Sequence, residues 1–595
     1  MHFGGIYEDE IVGKAYDRKL MGRFLRYLLP YRRLVAGTLV VLPLVAACRL
    51  AQPWLLKVAI DNHIVAGKME GLPVIAASYL GLILAEAAFT FIQVYLLQYL
   101  GQRVMFNLRI ELFSHVQRLS TRFFDRTPAG SLVTRLTSDV EALGEMFAAG
   151  IITIVGDILV LAGIIGIMLW MNLRLSLVTF SVLPVLFWVA FTFRNRMRTA
   201  FRQVRARLAN LNTFLAESIG GMAIVQLFNR QRGEQEEFRR LNREYRDANL
   251  PVITWDASLF AGVEAISAVA VGLIIWYGGG EIGRGTLTFG ALVAFIQYIE
   301  KFFSPIRDLS AKYSVMQGAM AALERIFQLL DTEKPASDSP PSLQQSPLTG
   351  EDVHSPFIEF KNVWFAYQGE EYVLKDFNLQ LRRGEKLALV GETGGGKTTV
   401  TRLLSRLYEI HRGSITLGGT DIRTLPLATL RHKIGIVLQD PYLFTGTIAY
   451  NITLGDPAAA ARLEQAATMV GADRFIHRLP KGFNEEVRER GVNLSAGERQ
   501  LISFARAVAF DPEVLVLDEA TASVDSEAER LIEEGLKGLL SGRTSLVVAH
   551  RLSTIRDADR IVAIHRGEKM EEGNHQELMA ARGLYYRLYQ LQFRD

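Results

Sequence analysis

The chain has 595 residues, 49% of them hydrophobic, with a formal net charge of +4. That length asks for more than one domain, and so small a net charge argues against a nucleic-acid partner. The single cysteine, Cys48, excludes an intrachain disulfide, and a mean hydropathy of +0.17 points toward a membrane.

In chain order, the first 30 residues carry Glu8, Asp9 and Glu10 but no apolar core followed by a cleavage site, so no signal peptide is expected and the N-terminus is predicted to be cytosolic. Arg18–Arg33 then mixes Met21, Phe24, Leu25, Leu28 and Leu29 with Lys19, Arg23, Arg26 and Arg32, the pattern of an amphipathic helix on a membrane surface. Six apolar stretches follow, near 35–60, 73–100, 147–171, 174–194, 255–279 and 286–304. Each approaches the roughly 20 residues that cross a bilayer. Arg49 and Lys57 interrupt the first, and Glu300 and Lys301 sit near the end of the last. The second, about 42 Å long as a helix, is expected to leave the lipid still helical.

The loops after the first, third and fifth spans hold few cations (Lys68, Arg174, Arg284), whereas 101–146 and 195–253 are rich in arginine. Positive charge stays inside, so both long loops and the C-terminal half are predicted to be cytosolic. Both loops read largely as helix. Their breaks, at Phe123–Gly130 and Glu217–Gly221, would set Phe123, Asp125, Glu217 and Gly220 against a cytosolic domain. Pro- and Ser-rich residues 332–356 mark a linker between a helical membrane domain (35–331, preceded by a cytosolic segment 1–34) and a second domain, 357–595. There strands and helices alternate, the α/β class. Ile358–Phe360 and Val363–Phe365 read as an antiparallel edge.

The second domain is organised around Gly391-Glu392-Thr393-Gly394-Gly395-Gly396-Lys397-Thr398-Thr399, which fits the phosphate-binding P-loop. An apolar strand, Lys386–Val390, precedes it. Val400, Leu403, Leu404 and Leu407 follow at helical spacing. Glycines let backbone N–H groups curl around phosphate oxygens, Lys397 would reach the β- and γ-phosphates of ATP, and the Thr398 hydroxyl would ligand Mg²⁺. Two further apolar strands end in chemistry. Val514–Leu517 runs into Asp518, placed to hold Mg²⁺ through water, and Glu519, placed to polarise an attacking water. Ser545–Val548 runs into His550, which could bond the γ-phosphate or that water.

With these residues the chain resembles the ATP-binding cassette exporters that fuse six membrane helices to one nucleotide-binding domain. The resemblance implies a type IV exporter fold, all-α in the membrane and P-loop α/β outside it, in the inner (cytoplasmic) membrane of a bacterium. It implies that Tyr367 stacks on adenine and that Gln439 senses Mg²⁺. Leu494–Glu498 matches the signature motif, with Ser495 and Gly497 at a helix N-terminus that binds the γ-phosphate of the opposite subunit. Ser523–Asp525 matches the loop that crosses to the partner site, and the breaks at 123–130 and 217–221 resemble coupling helices. Two cassettes would then sandwich two ATP molecules, in a homodimer or a heterodimer. Ala496 and Glu498 depart from the usual Leu-Ser-Gly-Gly-Gln; a methyl and an added charge there are expected to weaken that site. The implied activity is ATP-driven export of an amphipathic drug or lipid by alternating access. A lipid flippase, the competent half of a heterodimer and an ATP-gated channel are the alternatives. Glu86, Asp157 and Glu264, ionisable within spans, are candidate cavity residues that would suit amphipathic cations.

Overall fold

The computed structural model describes residues 17–147, 151–333, 356–518, 526–549 and 552–593. The chain forms two compact units: one of Met1–Gln117 and Ala129–Thr332, the other of Arg118–Pro128 and Glu333–Asp595. The expected linker, 332–356, lies almost wholly outside the described residues.

The first unit is helical. Helix α1 (Arg18–Leu25), N-capped by Asp17, leads through a 3₁₀ turn into α2 (Arg32–Ala59), and a π-helical turn, Ile60–Ile64, ends that rod. The apolar face of α1 meets protein: Met21 and Phe24 are buried, Phe24 against Phe147, while Leu25 and Leu29 stay exposed and available to lipid. Arg23 pairs with Asp331 at 2.7 Å and lies over the Phe327 ring, so α1 also grips the far end of the last membrane helix.

Helix α3 (Leu72–Val116) is 45 residues long, about 68 Å at helical rise, and leaves the apolar span without a break as expected. The predicted break at Phe123–Gly130 is corrected: Thr121–Arg126, in the segment that belongs to the second unit, is itself a short helix, α4, with the chain irregular on either side of it. Short helices α5 (Ala129–Thr134) and α6 (Val140–Glu145) return to α7 (Ile151–Met171). The fourth span is split into α8 (Leu173–Phe180) and α9 (Leu183–Gly220), because Pro184 in the first turn of α9 has no N–H to continue the ladder. Glu217 and Gly220 belong to the last turn of α9. The short cross-helix comes after them, as α10 (Met222–Leu227), a correction to the predicted break. Helix α11 (Gln231–Gly283) returns alongside α9, tied by Arg207–Glu244 at 2.8 Å and Ser218–Glu234 at 2.7 Å, and α12 (Phe289–Leu330) closes the unit.

Among the described residues, 5 helices are long and apolar enough to cross a membrane by length and composition. Helix α12, which contains the expected sixth span, is less apolar because Gln297, Glu300 and Lys301 interrupt it. Trp170, Phe187, Trp188 and Trp276 point outward, as a lipid-facing surface requires.

The second unit is α/β. Strands β1 (Ile358–Ala366), β2 (Tyr372–Leu381), β4 (Arg412–Leu417) and β5 (Thr420–Asp421) form an antiparallel sheet ordered β2-β1-β4-β5, with β3 (Lys386–Gly391) intervening in sequence. The two predicted edge segments are one strand, β1, whose register slips near Asn362, a residue at φ +49°. The central sheet adds β6 (Ile434–Val437), β9 (Val514–Asp518), β10 (Thr544–Val548), β11 (Arg560–His565) and β12 (Glu568–Gly573), in the order β12-β11-β3-β10-β9-β6. A two-residue ribbon, β7 (Gly446–Thr447) with β8 (Glu486–Val487), stands apart. β3, β10, β9 and β6 are parallel and buried on both faces, which is why they read as unbroken apolar runs.

Candidate functional site

Parallel register lines up the strand ends. Val548 lies beside both Leu389 and Asp518, so the P-loop and the carboxylate at the tip of β9 emerge at one edge of the sheet. This is where ligands bind in open α/β sheets. Gly391 begins the loop at φ +155°, and a Cβ there would meet the Ile564 carbonyl oxygen at 2.2 Å. Gly396, at φ +103°, N-caps helix α13 (Lys397–Leu404). Glu392, Thr393, Gly394 and Gly395 form the turn between them.

Lys397 is buried and folds across the loop, its Nζ donating to the carbonyls of Gly391 at 2.6 Å and Glu392 at 2.9 Å. Burial pushes its ammonium below the ordinary lysine value, and the charges of Asp518 and Glu392 oppose that. Such a cation, held by neutral carbonyls of a glycine-rich loop at the start of a helix, fits a phosphate chain. The Thr398 hydroxyl donates to Asp518 Oδ1 at 3.3 Å. That hydroxyl–carboxylate pair at the end of the loop has the oxygen donors and the spacing that Mg²⁺ with its waters needs. Gln439 follows β6 in an exposed bend, one strand away from Asp518 in the sheet. Glu519, Ser523, Asp525 and His550 lie outside the described residues.

Tyr367 closes β1 beside the loop. Its hydroxyl is 3.1 Å from Thr399 Oγ1, and Arg402 Nη1 donates to it at 3.4 Å. Its ring stands edge-on to Phe365 and to Tyr408, with centroids 4.8 Å and 5.1 Å away. Tyr408, which sequence reasoning missed, is buried and donates its hydroxyl to Asp125 of α4. Burial first, and that carboxylate second, push the Tyr408 phenol up to about 12. An unbroken path therefore runs from Asp125 through Tyr408 and Tyr367 to Thr399 in the P-loop. The available signal was Tyr408 itself, a phenol in the apolar run after the P-loop helix, since a buried tyrosine hydroxyl usually finds a partner. Phe123 packs edge-on against Phe124 in the same short helix.

Ser495 N-caps the helix Ala496–Ala509, and Gly497 is buried in its first turn. Glu498 completes a capping box: its carboxylate accepts from the Ser495 N–H at 2.7 Å, while Ser495 Oγ accepts from the Glu498 N–H at 3.2 Å. The residue that departs from the usual motif is thus turned back onto the helix start. Further along, Arg506 donates to the Asn451 and Tyr442 carbonyls at 2.7 Å and 3.1 Å, which pins the segment following Gln439 to the signature helix.

In the membrane unit, Glu86 accepts from Arg49 at 2.8 Å and from Gln52 at 2.6 Å, and Asp157 pairs with Lys312. Glu264 also has a partner. The charges of Glu86 and Asp157 are each offset by a neighbouring helix.

Known families match both units. The family described as the ABC transporter transmembrane region matches residues 36–306, and the family described as ABC transporter matches 374–522. The chain is 39% identical over 588 residues to the uncharacterised ABC transporter ATP-binding protein YknV of Bacillus subtilis, covering 98% of this chain and 96% of that one. It is 37% identical to a probable multidrug resistance ABC transporter of the same organism, YheH, covering 88% and 77%. It is 34% identical to an ATP-dependent lipid A-core flippase of Thiobacillus denitrificans, covering 97% and 99%. Among solved structures, a bacterial Atm1-family ABC exporter with ATP bound superposes with a TM-score of 0.76 at 27% identity, over 95% of this chain and 99% of that one.

Proposed function

The chain belongs to the ABC transporters, its transmembrane and ATP-binding regions fused in one polypeptide, and on that premise we propose that it moves an amphipathic molecule, lipid or drug-like, from the cytosolic side of a bacterial inner membrane to the other. ATP hydrolysis coupled to export is the activity of this fold and family. The observation that carries the reading is the convergence of Lys397, Thr398 and Asp518 at the strand edge.

In this reading ATP lies along the P-loop with its adenine on Tyr367 and its phosphates under Lys397. Mg²⁺, when bound, neutralises phosphate charge; Thr398 and Gln439 would hold it, with Asp518 through water. Glu519 accepts a proton from the attacking water as the water oxygen bonds to the γ-phosphorus and the β–γ bridging bond breaks, leaving ADP and phosphate. His550 supports the γ-phosphate. Ser495 and the helix start behind it serve the site of a second chain, so the working unit is a dimer. Asp125 and the α10 segment carry the closing of that dimer into the membrane helices.

The test is to purify the chain expressed alone and to measure particle mass and ATP turnover, with Glu519→Gln as control. A two-chain particle whose turnover disappears in the control supports a homodimeric exporter. A single-chain particle without turnover points to a separate partner half. The changed signature residues, Ala496 and Glu498, favour that second reading, because altered signatures occur where one of two sites is weak. Uptake into inside-out vesicles that continues against a gradient separates export from a gated channel.

A further inference from the structure

Arg49, Glu86 and Lys301 sit on three different helices, α2, α3 and α12, yet form one polar network. Each lies roughly 18–25 Å of helical rise from the start of its helix, within the length that crosses a hydrocarbon core about 30 Å thick. Ionisable groups at that depth are costly and mark a pathway or a binding site.

The bonding pattern leaves one charge over. Both carboxylate oxygens of Glu86 are taken, Oε1 by Arg49 Nε at 2.8 Å and Oε2 by Gln52 Nε2 at 2.6 Å. Lys301 Nζ donates to Gln52 Oε1 at 2.9 Å and to the Arg49 carbonyl at 3.1 Å. That carbonyl is available for a reason visible in the sequence: four residues on stands Pro53, which has no N–H to accept the helical bond. Tyr298, one turn before Lys301, donates to the neighbouring Leu50 carbonyl at 2.7 Å and fixes α12 against α2. Lys301 therefore has two neutral acceptors and no carboxylate among its hydrogen-bond partners in the described residues. An ammonium has three N–H donors. Among the described residues, one donor and one positive charge are left over, with two cations against one carboxylate. Glu300, next in the chain, is exposed on another face of the helix.

We propose that Lys301, supported by Arg49, holds the anionic head group, a carboxylate or phosphate, of the amphipathic substrate. This deepens the export reading and rests on it. The sign is opposite to the one Glu86 implies when it is read alone, because the carboxylate is already matched by Arg49 and Gln52.

The test uses the full chain in proteoliposomes of zwitterionic lipid. Fluorescent short-chain phosphatidylglycerol is compared with phosphatidylcholine and with a cationic lipid analogue, and a soluble carboxylated fluorophore is added to separate a lipid head group from a free anion. ATP-driven movement and stimulation of ATP turnover are expected to favour an anionic probe by about tenfold or more. Lys301→Gln should lose that preference while keeping basal ATP turnover, Lys301→Arg should restore it, and Glu86→Gln, which removes the competing carboxylate, should keep it. Arg49→Gln gives a second test if Lys301→Gln does not assemble. An undiminished anionic preference in Lys301→Gln, or a wild-type preference for the zwitterionic or cationic probe, overturns the proposal and leaves export standing. Loss of ATP-driven movement for every probe overturns both.

Discussion

The two units solve opposite problems. In the nucleotide unit apolar side chains go inward: Leu387, Leu389, Val514, Val516, Leu546 and Val562 are buried, and the groups with chemistry gather where the strands run out. In the membrane unit large apolar residues such as Trp188 and Trp276 face outward, and an inner apolar cluster that includes Ile164, Met168, Phe295 and Phe303 is joined by polar contacts between helices: Glu86 with Arg49, Arg325 with Asp139, Asp61 with Thr288. Lipid is as apolar as leucine, so burial alone cannot hold membrane helices together. The nucleotide unit should be sensitive at strand tips, and the membrane unit at polar and close-packed positions rather than at its largest side chains.

The sharpest contrast is Lys397→Ala. It removes the cation inside the P-loop while leaving the buried sheet intact. ATP turnover is expected to fall by more than about a hundredfold, with little change in the thermal midpoint. A variant that keeps its turnover would break the assignment of this sheet edge.

Gly290→Val probes the membrane unit. Gly290 N donates to Asp61 at 2.7 Å, and a Cβ there would meet Asp61 Oδ1 and the backbone oxygen of Lys57, each at 2.6 Å. Backbone cannot yield cheaply, so the expected loss is about 1–3 kcal/mol. Trp276→Ala, on the exposed face, should cost less despite removing far more surface. Thermal unfolding in one detergent compares the two, and the reverse order would mean that side-chain bulk controls this unit too.

How much of this was legible depends on distance along the chain. The P-loop, the signature helix and the strands ending at Asp518 are local patterns, and the sequence is enough to find them. So are five of the six expected spans, apart from the break before Pro184. Asp125 and Tyr408 lie 283 residues apart, and nothing local to either announces the other. The same holds for Lys301 and Arg49: Pro53 shows that a carbonyl is freed, but not which side chain will take it. Local reading also misplaced the short helices, because Thr121–Arg126 is only 6 residues long and α9 runs on through Glu217 to Gly220.

Tyr408→Phe tests the long-range link with little disturbance. The ring stays against Tyr367, but its hydrogen bond to Asp125 is lost, at a cost of about 1 kcal/mol. ATP turnover should persist while substrate moved per ATP falls; unchanged coupling would reduce the Tyr408–Asp125 contact to packing. Smaller again is Glu498→Ala, which opens the capping box and should lower stability by about 0.5–1 kcal/mol, whereas Glu498→Gln, able to make the same bond, should not. If Gln raises turnover while leaving the midpoint unchanged, the carboxylate weakens the site by its charge and not through the helix.

The smallest effect expected is a pH dependence confined to the C-terminal helices of the nucleotide unit. His575 Nδ1 lies 2.6 Å from the Tyr585 hydroxyl, and burial, with Arg556 second, holds the imidazole below its ordinary value near 6.5. The folded form disfavours the proton that the unfolded chain takes up, so the stabilisation is complete above pH about 6.5 and is lost as pH falls from there toward the depressed folded value. Hydrogen exchange across residues 575–593, corrected for intrinsic rates, should show protection declining over that acid window in the wild type and flat in His575→Gln. Equal slopes in the two would move the titration to another group. A slope confined to the wild type would show that burial sets the charge state of a single side chain here, as it does at Lys397, whereas in the membrane unit a second helix must supply the partner.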